Sequence, residues 1–238
     1  MAEPPTVNRL VAGSNPALGV YKFCDMNVTN SNELDKFPYI LVDNFYDCSE
    51  LYKIWEELDY LCDPRIISRS SIENGGSWEY DECGNKKLLK HNWTMWLDSY
   101  FRNDRSSSNI LNVNRKLFNH SNLFTDHPHW LINDVTAIEK DHTQIAYYEN
   151  DDEYKVHRDL CRLTCLTWFF REPKRFTGGN LQFPLFDTEI ECRNNRMIIF
   201  PGAVPHAVNK VCIEEQYKEQ KLGRFVMVQL LKLDFKHI

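Results

Sequence analysis

Between residues 143 and 231 the chain breaks into seven short apolar segments, at 143–148, 163–170, 180–183, 188–191, 196–200, 207–211 and 224–231. They are rich in β-branched and aromatic residues, and turn residues separate them. An amphipathic helix needs a longer run with a 3.6-residue period. Short segments at this spacing instead predict the strands of a sandwich or barrel. No internal repeat and no Pro/Ser/Gly linker interrupts them. The expected class is therefore α+β with a mainly β core, preceded by an N-terminal helical layer.

That layer is visible upstream. Residues 37–45 read as a strand. Asp47 and Glu50 then stand three apart, as in a capping box. Leu51, Ile54, Trp55, Leu58 and Leu61 follow at helical spacing and make one apolar stripe. Residues 1–36, with Pro4, Pro5 and Pro16, are expected to form an irregular arm, and 37–238 a single domain. Residues 62–90 are mostly polar around Asn74-Gly75-Gly76, which predicts a long, mobile lid with Trp78 as its contact residue. Helical patterning returns at 93–101 and 110–118, so Trp93 and Trp96, three apart, are assigned to core packing. His127-Pro128-His129 reads as a turn.

Composition removes several alternatives. Lys+Arg number 28 and Asp+Glu 34, giving a net charge of −6, which argues against a nucleic-acid partner. No apolar run approaches the roughly 20 residues of a membrane-spanning helix, so no membrane partner is expected. The first ten residues (MAEPPTVNRL) lack an apolar signal core. The eight cysteines are scattered, without a CxxC pair, and several lie in apolar runs. They are expected to be reduced, and the protein cytoplasmic.

The chemistry concentrates in 148–159 (YENDDEYKVHRD). His157 and Asp159 are two apart, which in an extended strand places both on one face. His206, in the turn PGAVPHAV after an apolar strand, supplies a second imidazole. Two imidazoles and one carboxylate leave coordination positions open, the donor set of non-haem Fe(II) oxygenases. H-x-D alone is a weak signal. Here it comes with Tyr148, a strand from Arg162, the Gly178-Gly179 turn, the Pro205-His206 turn and Gly223-Arg224 opening a last strand.

In this set of motifs, residues 143–231 resemble the catalytic core of the Fe(II)/2-oxoglutarate-dependent dioxygenases, in particular the prolyl 4-hydroxylase-like branch. The resemblance implies a double-stranded β-helix, or jelly roll. It implies His157, Asp159 and His206 as iron ligands and Arg224 as the partner of the distal carboxylate of 2-oxoglutarate. It places Tyr148, Thr164 and Trp168 around that cosubstrate. Trp168 stands where relatives often carry a tyrosine, and an indole donates one hydrogen bond but accepts none. Arg224 also lies 18 residues after His206, about twice the usual interval. The polar stretch 212–222 is taken as a longer hairpin loop, with Lys210 and Lys221 as alternative cations.

The implied cofactors are Fe(II), 2-oxoglutarate and O2, with ascorbate as a possible addition. The implied reaction is hydroxylation of an unactivated C–H bond of a prolyl or other amino-acid side chain, with release of succinate and CO2. Desaturation or cyclisation of a free small metabolite uses the same ligands, and a non-catalytic jelly-roll binding or sensing protein is the alternative of another class. A peptide or small molecule is the expected partner. Arg158 and Arg162 flank the metal motif and are candidates for an anionic substrate group. Glu214, Glu215, Lys218 and Lys221 read as a solvated loop.

Overall fold

The computed structural model describes residues 25–31, 37–63, 66–74, 76–134, 138 and 140–232. The first part carries β1 (Asn27–Asn30), β2 (Ile40–Asp43), α1 (Cys48–Leu61), β3 (Ser68–Arg69), β4 (Trp78–Tyr80), β5 (Lys86–Leu88), β6 (Lys90–His91) and β7 (Trp93–Trp96). Five short helices follow: α2 (Leu97–Tyr100), α3 (Asn109–Val113), α4 (Lys116–Asn119), α5 (Asn122–Thr125) and α6 (Trp130–Asn133). The strand-rich part carries β8 (Lys140–Tyr148), β9 (Glu153–His157), β10 (Leu163–Phe169), β11 (Phe176–Thr177) and β12 (Leu181–Phe183). It ends with β13 (Thr188–Ile190), β14 (Arg196–Pro201), β15 (His206–Val208), β16 (Cys212–Ile213) and β17 (Arg224–Lys232).

Among the described residues the larger sheet has the order β1-β2-β14-β10-β17-β8-β7-β3, and a facing sheet the order β13-β12-β15-β9-β6. Their pairings are antiparallel throughout. This is a two-sheet jelly roll without a closed barrel, the mainly β architecture expected from the strand spacing. The larger sheet is covered on both faces. All of β10 is therefore buried, and it reads as a continuous apolar run rather than an alternation. Leu163, Cys165 and Phe169 join the core under the helices, whereas Leu166 and Trp168 point between the sheets. In β17, Phe225, Met227 and Leu231 face the helices, and Val226 faces the smaller sheet.

α1 begins where its capping box predicts. The Asp47 carboxylate accepts from the Ser49 and Glu50 amides, and Glu50 accepts from the Asp47 amide at 2.8 Å. Its stripe of Leu51, Ile54, Trp55, Leu58 and Leu61 is buried. Trp55 meets Phe225 edge to face, with ring centroids 5.5 Å apart. Seven cysteines lie in described regions and all are free. No helix among the described residues is long and apolar enough to cross a membrane.

Three expectations need correction. Asn27–Asn30, inside the presumed irregular arm, is a strand on the edge of β2; residues 1–24 lie outside the described residues. The 62–90 segment is not one structureless loop. It holds β3, the β4–β5 hairpin and the start of β6, which pair with β7, with each other and with β9; Gly75, part of its expected hinge, is not among the described residues. Trp93 and Trp96 lie on a strand, not a helix: β7 pairs with β8, and helical structure starts only at Leu97. A three-residue spacing of two tryptophans is too short a pattern to separate the two periods, and pairing to β8 decides the outcome.

Candidate metal centre and its cavity

β9 ends at His157, so Asp159 lies two residues beyond the strand rather than on its face. Its amide donates to the Gly202 carbonyl at 2.9 Å, which holds the carboxylate beside the end of β14. His206 opens β15 and pairs directly with His157. The three side chains converge, each offering one ligand atom, with those atoms all within 4.8 Å of one another. His157 Nε2 stands 3.8 Å and His206 Nε2 3.5 Å from the Asp159 carboxylate.

The tautomers follow from the backbone. His157 Nδ1 lies 2.9 Å from the Lys155 carbonyl, and His206 Nδ1 2.8 Å from the Val204 carbonyl. A carbonyl only accepts, so each Nδ1 carries the proton and each Nε2 presents its lone pair to the centre. Burial, reinforced by the neighbouring His206, pushes the His157 imidazole down to about 3, so it stays neutral. Burial raises the Asp159 carboxyl, but the contact and charge of His206, the charge of His157 and the hydrogen bond from Thr164 outweigh it and leave it at about 2. A neutral His157 imidazole and an ionised Asp159 carboxylate, with His206 Nε2 beside them, make a donor set suited to a divalent first-row metal, with positions left open for further ligands.

A cavity of about 480 Å³ opens beside these residues, between the two sheets. Arg224, Val226, Val228 and Leu230 line it, which places that face of β17 inward. Arg224 is 0 % exposed, and none of its three guanidinium nitrogens has a hydrogen-bond partner among the described residues. Its guanidinium carbon sits 4.6 Å from the centre of the Tyr148 ring and 5.9 Å from that of Trp168. A fully buried guanidinium without an acceptor is costly, and a bidentate carboxylate satisfies it. The donor set and this orphaned cation together fit a metal plus an anionic cosubstrate.

Gly179 makes the space. It adopts φ +70°, and a Cβ there would stand 2.7 Å from Arg224 Cδ. This is the physical content of the Gly178-Gly179 motif. The alternative cations lie elsewhere: Lys210 is half exposed and pairs with Asp151 at 3.5 Å, and Lys221 is exposed in the loop before β17. The 212–222 stretch is more than a loop, since Cys212–Ile213 pairs with β11 before a short 3-10 turn.

Other sequence-derived residues separate clearly. Tyr148 lines the cavity. Thr164 does not; its hydroxyl donates to Asp159 at 2.7 Å and so orients the carboxylate. Trp168 is buried beside Arg224, with its indole N–H unpartnered, and is not part of the cavity lining. Arg158 lines the cavity, whereas Arg162 turns away to Asp134. Trp78 is 38 % exposed on the outer hairpin under Lys86, outside the lining. Trp96, assigned to the core from its spacing, is 40 % exposed and lines the cavity. His127 Nδ1 accepts from the His129 amide and His129 Nδ1 from the Leu131 amide, so this pair shapes the turn into α6. Sequence reading missed Lys90, which is buried in the cavity wall. A lysine in a polar, charge-mixed stretch carries no signal that distinguishes it from a solvated one.

Comparison with known proteins agrees with this geometry. Residues 143–228 match the family model of the 2OG-Fe(II) oxygenase superfamily. A prolyl hydroxylase from Trichoplax adhaerens, solved with a hypoxia-inducible-factor peptide fragment, has a similar structure. It is 13 % identical, covers 86 % of this chain and 87 % of its own, and has a TM-score of 0.55. A Pseudomonas putida prolyl-4-hydroxylase is 14 % identical over 84 % of this chain and 95 % of its own, with a TM-score of 0.50. At these identities the likeness is one of fold. No curated protein matches the sequence.

Proposed function

We propose that this chain, whose residues 143–228 match the 2OG-Fe(II) oxygenase superfamily, is such an oxygenase and hydroxylates an unactivated C–H bond of a prolyl or other amino-acid side chain. One observation carries the reading: a His-Asp-His cluster and a buried, unpartnered arginine open into the same cavity. Bound Fe(II) and 2-oxoglutarate supply the oxidising chemistry, coupled to release of succinate and CO2.

The protein's own residues do the positioning. His157 and His206 offer Nε2, and the backbone carbonyls of Lys155 and Val204 fix their ring orientation. Asp159 completes the set, steadied by Thr164. With a metal bound, the Asp159 carboxylate would fill a ligand position that a small residue would leave open to another anion, which favours hydroxylation. Arg224 neutralises the distal carboxylate of the cosubstrate, with Tyr148 and Trp168 as its walls. Leu166, Leu181, Val226 and Val228 line the space with apolar surface and keep water from it.

The test is succinate release from 2-oxoglutarate with Fe(II) and ascorbate, followed by a screen of peptides and free amino acids for a mass gain of one oxygen. The proposal expects succinate release that a hydroxylated product accompanies. Cosubstrate binding without turnover of any compound would favour the binding or sensing alternative. Oxygenation of free metabolites alone would move the substrate away from peptides.

A further inference from the structure

We infer that Lys90 receives a carboxylate of the substrate, at a position separate from the cosubstrate's anchor at Arg224. The inference rests on the oxygenase reading and specifies its substrate. Lys90 lies on β6, the edge of the smaller sheet, and is 8 % exposed. Its side chain crosses to the larger sheet. Nζ donates to Gln144 Oε1 at 2.6 Å and to Thr94 Oγ1 at the limiting distance of 3.5 Å. Both acceptors are neutral. No carboxylate forms an ion pair with it among the described residues. A buried ammonium without a counter-ion is unfavourable. Burial accordingly lowers its affinity for its proton, and the charge of Asp159 opposes this. A metal bound at Asp159 takes up that charge and leaves Lys90 uncompensated.

The cavity is cationic overall. Its lining includes Lys90, Arg158, Arg224 and Lys232, against Asp159 as its acidic member. Lys90 is held at a different place along β8 from Arg224. Arg224 is opposite Tyr148 in the β8–β17 ladder, and Gln144, which holds Lys90, is four residues back along β8 opposite Val228. Four residues of strand span about 14 Å of backbone, and an unchanged 2-oxoglutarate affinity in a Lys90 variant is the test that the two cations serve different ligands. Lys90 also lies over the Tyr154 ring, 5.4 Å from its centre, and Tyr154 stacks on His157. The ammonium thus stands one aromatic layer from the metal centre, on the side toward Thr94, Trp96 and Gln144. A substrate reaching the metal from that side meets it. The competing role is a structural strut between the sheets.

The experiment uses the full chain loaded with Mn(II) and saturating 2-oxoglutarate. It is titrated calorimetrically with matched acids and amides: N-acetyl-L-proline against N-acetyl-L-prolinamide, and free L-amino acids against their amides. The expected result is at least one acid bound tenfold or more tightly than its amide. Lys90→Met should abolish that preference while the affinity for 2-oxoglutarate stays unchanged, and Lys90→Arg should retain part of it. A strut would lower the melting temperature in Lys90→Met without touching acid-over-amide preference. The assignment is overturned by no acid preference in the wild type, including no binding of either member. Preference unchanged in Lys90→Met, or weaker 2-oxoglutarate binding in that variant, overturns it as well. Failure of the wild type to bind 2-oxoglutarate with Mn(II) would instead strike the oxygenase reading itself, and this proposal with it.

Discussion

Arg224 and Lys90 are both buried cations without an ion-paired carboxylate among the described residues. Each costs stability when no ligand is present. Arg224→Met should therefore leave the ligand-free melting temperature equal or higher, while the thermal shift caused by 2-oxoglutarate disappears. Loss of the charged contact should weaken cosubstrate binding by about 2–5 kcal/mol. Retention of the shift would show that another group holds the carboxylate. Lys90 makes a pH prediction. Burial lowers its pKa from the usual 10.5 to about 8. Below pH 8 the fold carries the full cost of the buried charge. Between pH 8 and 10.5 the unfolded chain still holds a proton that the folded chain has released, so this contribution to stability rises with pH. Urea melts of wild type and Lys90→Met should converge over that window, by at most about 3 kcal/mol at 1.36 kcal/mol per unit. A constant difference would mean that Lys90 is not titrating there. At this scale the H-x-D pair, His206 and Arg224 were legible because motif order and donor chemistry restrict them. Lys90 and Trp96 were not, since their burial and exposure come from strands distant in sequence.

Among the elements, α1 is the most fully encoded: cap, stripe and burial all agree. Asp47→Ala removes acceptors for the Ser49 and Glu50 amides and should cost about 1 kcal/mol by chemical denaturation. Cosubstrate affinity should not change, because α1 packs on the face of the larger sheet away from the cavity. The strands from β8 onward were legible because each combines β-branched or aromatic residues with a turn at its end. Residues 62–96 were not. β3, β4 and β5 are exposed, so no alternation of apolar and polar residues marks them. β3 pairs with β7 across more than twenty residues of the same segment, and β6 and β7 are fixed by β9 and β8 from later in the chain. The Arg69 guanidinium illustrates this: it grips the buried Asp152 carboxylate, 83 positions away.

At the scale of the molecule, one apolar core lies under the helices and another between the sheets, together far larger than the three side chains of the metal-binding cluster. Metal should therefore add stability by mass action rather than create the fold. Chelation should lower the melting temperature while the far-ultraviolet circular dichroism at 25 °C stays the same; collapse of that signal on chelation would mean the sheets depend on the ion. The rim of the cavity has a further property. Ser68, Asn74, Ser77, Lys90, Thr94 and Trp96 all line it and all come from one uninterrupted stretch of chain, whereas the metal cluster and Arg224 come from residues after 156. This part of the cavity wall and the metal-binding cluster thus come from separate blocks of sequence. Exchanging residues 66–96 for the corresponding stretch of a jelly-roll oxygenase becomes a single-cassette graft, and what such a chimera inherits is a new appetite on an old engine.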